Sequence, residues 1–474
     1  MSFLINIVVM PVNSNVYRNI ATTEFQKFVE IVNDSRFPAI TTHPPDYNNQ
    51  PTTQIFPKYA ILTYDVGQNN GGIPTNTLPF GNNSSIDAFG RLRISNPDTI
   101  HNAKQVFDNA PLIFDSITVG TGSNTYDQTN SSTVMAVSSN NDVAIRQTKL
   151  SVNYQPGKSI LAFITFVMES NTNCISRVGL FDGDTTTPYS NVNGFYFENN
   201  NNNLNFVINN YGGGQTSQTT PQSAWNIDKL DGTGVSGITL NVSKTQILVI
   251  DYEWLGVGRV RMGFCIDGIV YYAHAFNNAN SLLLPYLKNP NNPVRYEIRS
   301  TGGAGSLRQI CSSVMAEGGS TENGLPFSIN SGSTSIGNFS AGVTAPLVNI
   351  RLKSTSRTAS IRLVDFSAMA STTTNTLLQI VLNGTVSGTA LTWNSIANSN
   401  MEYAICSTAN SLSGGTVLYS GFFNKASNTV STIPESILAI GASINGTSDV
   451  LSLCLTPSNG NESYYGSMNW IELL

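Results

Sequence analysis

From about residue 86 onward the chain is written in short runs of alternating apolar and polar residues, each closed by Gly, Asn or Asp. Gly194-Phe195-Tyr196-Phe197-Glu198 alternates cleanly, and the Asn-rich stretch after it reads as a hairpin tip before Leu204-Asn205-Phe206-Val207-Ile208. Residues 159–168 and 246–252 read as core strands. The stretch from Asp251 to Phe264 places two strand-forming runs on either side of Gly256 and Gly258, and a third run, residues 268–276, follows at once. Asp267-Gly268 between the last two predicts a tight hairpin, because glycine takes positive φ without steric penalty. Short strands at regular spacing, divided by Gly and Asn turns, predict an antiparallel β-sandwich.

A second series of the same kind includes residues 347–353, 360–366, 377–382, 401–406, 417–423, 437–442, 450–455 and 470–474. A Gly/Ser/Asn-rich stretch, residues 318–342, separates the two series and predicts a crossing between domains. Ahead of both, Thr23-Glu24-Phe25-Gln26 matches a capping box, and Phe25, Phe28, Val29 and Val32 form one helical face. His43-Pro44-Pro45, Pro51, Pro57 and Gly71-Gly72 then read as an extended connector. The expected fold class is all-β: two antiparallel, jelly-roll-like sandwiches preceded by an N-terminal arm with one short helix. The expected boundaries are 1–80 for the arm, 81–318 for the first sandwich, 319–329 for a linker and 330–474 for the second sandwich. The arm either anchors to another protein or wraps over its own domain.

Charge changes the picture most. Only 11% of the 474 residues are charged and the net charge is −5, which leaves no basic footprint for nucleic acid. Asn, Ser, Thr and Gly take the place of ions, a surface frequent in extracellular and virion β-proteins. Met1 to Met10 is apolar but ends at Pro11, roughly half a membrane span, so no membrane insertion is expected. The five cysteines are widely spaced, without a CxxC, and read as reduced core residues. Cys174 and Cys265 pair only if the fold makes them neighbours.

Ile86-Asp87-Ala88-Phe89-Gly90-Arg91-Leu92-Arg93-Ile94-Ser95 resembles the "DAFGRLRVS" motif of virion proteins encoded by tailed bacteriophages and large DNA viruses of aquatic hosts. Trp225 to Gly232, Trp254 to Arg259, Pro293 to Ile298, Ile350 to Lys353, Gly414 to Leu418 and Asn469 to Leu474 are similar to that family as well. The middle part also resembles a concanavalin-type or laminin-G-type jelly roll. The resemblance implies a non-enzymatic virion structural protein on capsid, vertex or tail, as fibre, spike or decoration subunit, assembled in the host cytoplasm. Its implied partners are other virion proteins; exposed sheet edges on a charge-poor surface also predict a homo-oligomer, a trimer if it forms a fibre or spike.

Candidate chemistry is sparse. Trp225, Asp228, Asp231 and Trp254 lie in one acidic and aromatic region; such residues bind a sugar when a carboxylate takes its hydroxyls and a ring covers its apolar face. The competing reading makes the tryptophans core plugs and residues 228–232 a turn. Glycan binding, as host attachment through a surface glycan, is therefore the alternative function, and a polysaccharide depolymerase the remote one. Asp182-Gly183-Asp184 resembles a fragment of a calcium loop, the single cofactor to consider, though Asp-Gly-Asp is also an ordinary turn. His274 has no partner at triad or metal spacing, and no GxSxG motif or phosphate loop occurs. No enzyme is expected. Arg91 and Arg93 alternate with Leu92 and Ile94, which puts both on one strand face, either paired with an adjacent subunit's carboxylates or solvated. Phe25, Phe28, Val29 and Val32 are the other expected assembly contacts.

Overall fold

The computed structural model describes residues 86–474, apart from positions 89, 92, 94–95, 319–323, 373, 407–409, 425–428, 433–438 and 474. The arm and its expected helix, with Phe25, Phe28, Val29 and Val32, lie outside the described residues.

The first sandwich packs an eight-stranded back sheet on a seven-stranded front sheet. The back sheet runs Ile269–Phe276, Val260–Ile266, Gln246–Tyr252, Ile160–Ser170, Gly305–Ala316, Ser132–Val137 and Ser123–Asp127, with Asp98–Lys104 also paired to Gly305–Ala316. The front sheet runs Gln218–Pro221, Asn203–Asn210, Asn193–Asn200, Cys174–Asp182, Val294–Ser300, Val143–Thr148 and Phe114–Val119. Period-two alternation decides which side chains enter the core between them. Leu248, Ile250 and Tyr252 point inward, as do Phe195, Phe197 and Phe206. Asp251, one residue out of phase, points away from the core and is nevertheless fully buried.

The predicted hairpins form. Ile266 pairs with Ile269 around Asp267 at φ 51° and Gly268 at φ 79°. Asn200 pairs with Asn203 around Asn201 and Asn202, both at positive φ. Two-residue loops of this hand match the right-handed twist of the flanking strands.

The second sandwich packs a five-stranded sheet, centred on Glu462–Leu473 and Ser360–Ala370, on a six-stranded sheet centred on Ala345–Leu352, Val450–Pro457 and Thr376–Leu382. Trp470, Phe366, Leu453 and Ile350 belong to its core. The expected linker 319–329 is corrected at its end: Gly324–Asn330 is a strand, paired along its whole length with Glu462–Leu473. Phe327 stacks on Trp470 at 6.2 Å and 17°, so this Gly/Ser-rich tract already carries core-covering side chains.

Both sandwiches belong to one compact unit, Ser84–Leu474. The second docks on the outward face of the front sheet, where Ile444 packs against Val143 and Ile145. The Ile444 N–H donates to the Asp115 carboxylate at 2.8 Å, and the Ala442 N–H donates to the Lys149 carbonyl at 3.0 Å. Among the described residues the helical turns are two short 3-10 segments, Gln222–Ala224 and Ser354–Ser356. No helix of the described residues is long and apolar enough to cross a membrane. All five cysteines are free; Cys174, Cys406 and Cys454 are buried, whereas Cys311 is exposed, against the core position expected for it.

Candidate functional site

Each member of the expected sugar-binding set has a partner of its own within the fold. Trp225 is buried, stacks on Phe206 at 4.3 Å and 23°, and donates its indole N–H to the Thr220 carbonyl at 3.2 Å. Trp254 meets Tyr154 edge-on and donates to the Leu287 carbonyl at 3.0 Å. A large aromatic face gains more from the core than from solvent; Trp225 is a core plug, and Trp254 packs partly buried against the same core. The Asp228 carboxylate accepts the N–H groups of Leu230 and Ser236, at 2.9 and 2.7 Å, and ties its own loop closed. Asp231 is exposed and accepts the N–H and hydroxyl of Thr233; the hydroxyl bond is the main reason its pKa lies below the ordinary aspartate value.

The two aspartates of the expected calcium pair have different partners. Asp182 is buried and pairs with Arg357 of the second sandwich at 2.9 Å. Burial raises its pKa against the opposing pull of Arg357, Arg295 and Lys288. Asp184 accepts the N–H groups of Thr186 and Thr187 and closes a local turn. No group of three or more His, Cys, Asp or Glu side chains among the described residues is arranged to hold a metal ion.

Arg93 is bound within its own subunit, whereas Arg91 pairs with Asp87 of the same chain while its side chain stays about half exposed. The described residues Asp87, Ala88, Gly90 and Arg91 form a turn. Gly90, at φ 78°, lets the Asp87 N–H reach the Arg91 carbonyl at 2.9 Å, while the Asp87 carboxylate accepts from the Arg91 backbone N–H and guanidinium, both at 2.8 Å. Arg93 then reaches into the outward side of the back sheet. It donates to Asp251 at 2.7 Å, to the Ile86 carbonyl at 3.2 Å, and to Glu317.

Asp251 is the centre of this arrangement. Its carboxylate accepts from Ser159 at 2.8 Å, from Tyr272 at 2.9 Å, from Arg93, and from two nitrogens of Arg261. The Arg261 guanidinium lies over the Tyr272 ring at 4.2 Å. Burial alone would lower the Arg93 pKa, but the charges of Asp251, Tyr272 and Glu317 raise it overall. Burial first, and the Asp251 charge second, raise the Tyr272 phenol well above its usual range. Four of these donors converge on one carboxylate oxygen and Ser159 takes the other, an arrangement that ties the back sheet to the Arg93 segment.

A second charge array crosses the outward face of the front sheet. Arg177 sits opposite both Glu198 and Glu297 on the neighbouring strands and donates to them at 2.9 and 3.0 Å. Arg295 continues the ladder, donating to Glu297 and to Gln147 at 2.7 Å. Burial lowers the Arg177 pKa, yet Tyr196, Glu297 and Glu198 outweigh it and leave it raised. Alternation in residues 174–182, 193–200 and 294–300 would have put these four residues on one face; their partnership depends on strand order. Both carboxylates spend oxygens on the same guanidinium, an arrangement suited to holding strands together.

No family model matches the chain, and no curated protein matches it. Among solved structures it is similar to the carbohydrate recognition domain of Emp47p, at 9% identity and a TM-score of 0.30, over 46% of this chain and 96% of that one. It is similar to a legume lectin-like domain from Entamoeba histolytica, at 12% identity and a TM-score of 0.30, over 45% and 96%. It is also similar to a β-glucanase of Bacillus licheniformis, at 8% identity and a TM-score of 0.30, over 46% and 97%.

Proposed function

We propose that this chain is a non-enzymatic structural subunit of a virion, carried on its capsid, vertex or tail. One observation carries the reading: the segment that resembles the virion motif spends its charges inside the subunit, with Asp87 closing a turn on Arg91 and Arg93 bound to Asp251 and Glu317. Such a segment seats the start of the sandwich on the back sheet and contributes no reactive group. The buried carboxylates Asp251, Glu297 and Glu198 are all engaged by arginine, in keeping with architecture over catalysis. Quantitative mass spectrometry of purified particles tests the reading. A fixed copy number per particle, retained through gradient purification, supports it; loss of the subunit from intact particles overturns it.

Glycan recognition is the second reading, and it moves away from the tryptophans. Tyr211 is half-exposed at one end of the front sheet, with the Lys288 ammonium 5.9 Å from its ring centre. An open aromatic ring beside a cation offers a stacking face and a polar partner of the kind a sugar ring uses. Saturable binding on a glycan array that is lost in Tyr211→Ala would establish it, and an array without binding would remove it.

A further inference from the structure

We infer that Arg93 clamps the entry and the exit of the first sandwich to each other, so that load on the chain ends meets this ion pair before it reaches the strand ladder. The inference goes beyond the virion reading and stands on chain geometry alone. Asp98–Lys104 opens the sandwich and Gly305–Ala316 closes it, and the two are antiparallel neighbours, with Asp98 opposite Ala316 and Lys104 opposite Cys311. Entry and exit therefore emerge at the same end of one ladder. Tension drawing them apart would open that ladder one residue pair at a time, starting from Asp98 and Ala316, a geometry in which the hydrogen bonds break in sequence and not together.

Five contacts stand in front of that starting point. Arg93, on the entry side, pairs with Glu317, the residue that follows the last strand. The same guanidinium holds Asp251 of the back sheet at 2.7 Å. The Glu317 N–H donates to the Ser159 carbonyl at 2.9 Å, while the Ser159 hydroxyl donates to Asp251 at 2.8 Å. The Ala88 N–H, back on the entry side, donates to the Ser159 hydroxyl at 3.3 Å. Entry and exit thus meet at one buried point, where Asp251 is fully buried and Glu317 nearly so. A planar guanidinium can hold two carboxylates at once, which a lysine ammonium on a flexible stem does less well.

Optical-trap pulling of the full chain from its two ends tests this. The first sandwich is identified by the length it releases, about 75 nm at roughly 3.5 Å per extended residue. In Glu317→Gln, which leaves Asp251 its Arg93 and Arg261 partners, the unfolding rate of that step at fixed load should rise about tenfold, equivalent to about 1.4 kcal/mol. Arg93→Lys should fall between wild type and Glu317→Gln. Arg308→Gln, which removes ion pairs to Asp127 and Glu169 on the same sheet but away from the chain ends, should leave the rate unchanged. Equal rates in wild type and Glu317→Gln, or an equal rise in Arg308→Gln, would overturn the clamp.

Discussion

Arg93 donates to Asp251 at 2.7 Å across 158 residues of chain, and the carboxylate it reaches is fully buried although it points away from the sandwich core. Removing the acid leaves two guanidinium groups, Arg93 and Arg261, short of their shared counter-ion. Breaking one partner of a buried pair typically costs about 3–5 kcal/mol, because the remaining charge stays desolvated. Asp251→Asn should therefore lower the urea midpoint of the first sandwich sharply. A change no larger than that of a surface ion-pair variant, below about 1 kcal/mol, would show that the network is dispensable.

Trp225→Ala should destabilise the fold by about 3–5 kcal/mol, the usual cost of emptying a large aromatic site. The ring lies on Phe206 and its N–H is bonded to the Thr220 carbonyl. Circular dichroism melts of the variant check this. An unchanged melting temperature would return Trp225 to the list of surface platforms.

Much of the architecture was legible in the residues because it is local. Asp267-Gly268 needs only positive φ, and residues 246–252 need only period two, to announce a hairpin and a core strand. The partners were not legible. Asp251 reads as one polar position among apolar ones, and nothing near it in the chain names Arg93. Residues 324–329 read as linker because glycine and serine surround them, whereas their strand is created by pairing with Glu462–Leu473 more than a hundred residues on. A tryptophan beside aspartates has the same composition whether it is a plug or a platform, and the Phe206 stack decides between them.

Stability should decline as pH falls from about 6.5 to about 4. Burial holds His274 and His101 at pKa values of about 4, below the ordinary 6.5. Between those values the unfolded chain binds protons that the folded chain refuses, so each step down in pH favours unfolding. Protonation of His274 would also oppose the Asn226 N–H that donates to its Nδ1 at 3.3 Å. Asp182 and Glu253, whose pKa values burial raises, act with the opposite sign nearer the bottom of the range. Urea midpoints at several pH values, in wild type and in the double variant His101→Gln, His274→Gln, isolate the histidine part. Identical slopes in the two proteins would refute it.

Ile444→Asp should uncouple the two sandwiches without unfolding either one. Ile444 is the apolar side chain of the second sandwich seated against Val143 and Ile145, and a carboxylate there would face Asp115. Calorimetry should then resolve two transitions where the parent shows one coupled unfolding. A single transition at the parent temperature would mean that Asp182–Arg357 and the backbone bonds suffice for docking.

The most direct measurement of the structural-subunit account is a cryo-electron microscopy map of intact particles that contain this chain. The account predicts density for both sandwiches at repeated, symmetry-related positions on the capsid, vertex or tail, with the Arg93–Asp251 region enclosed within each subunit. Particles whose maps and protein content lack this chain, or a map in which Arg93 bridges two subunits instead, would contradict it.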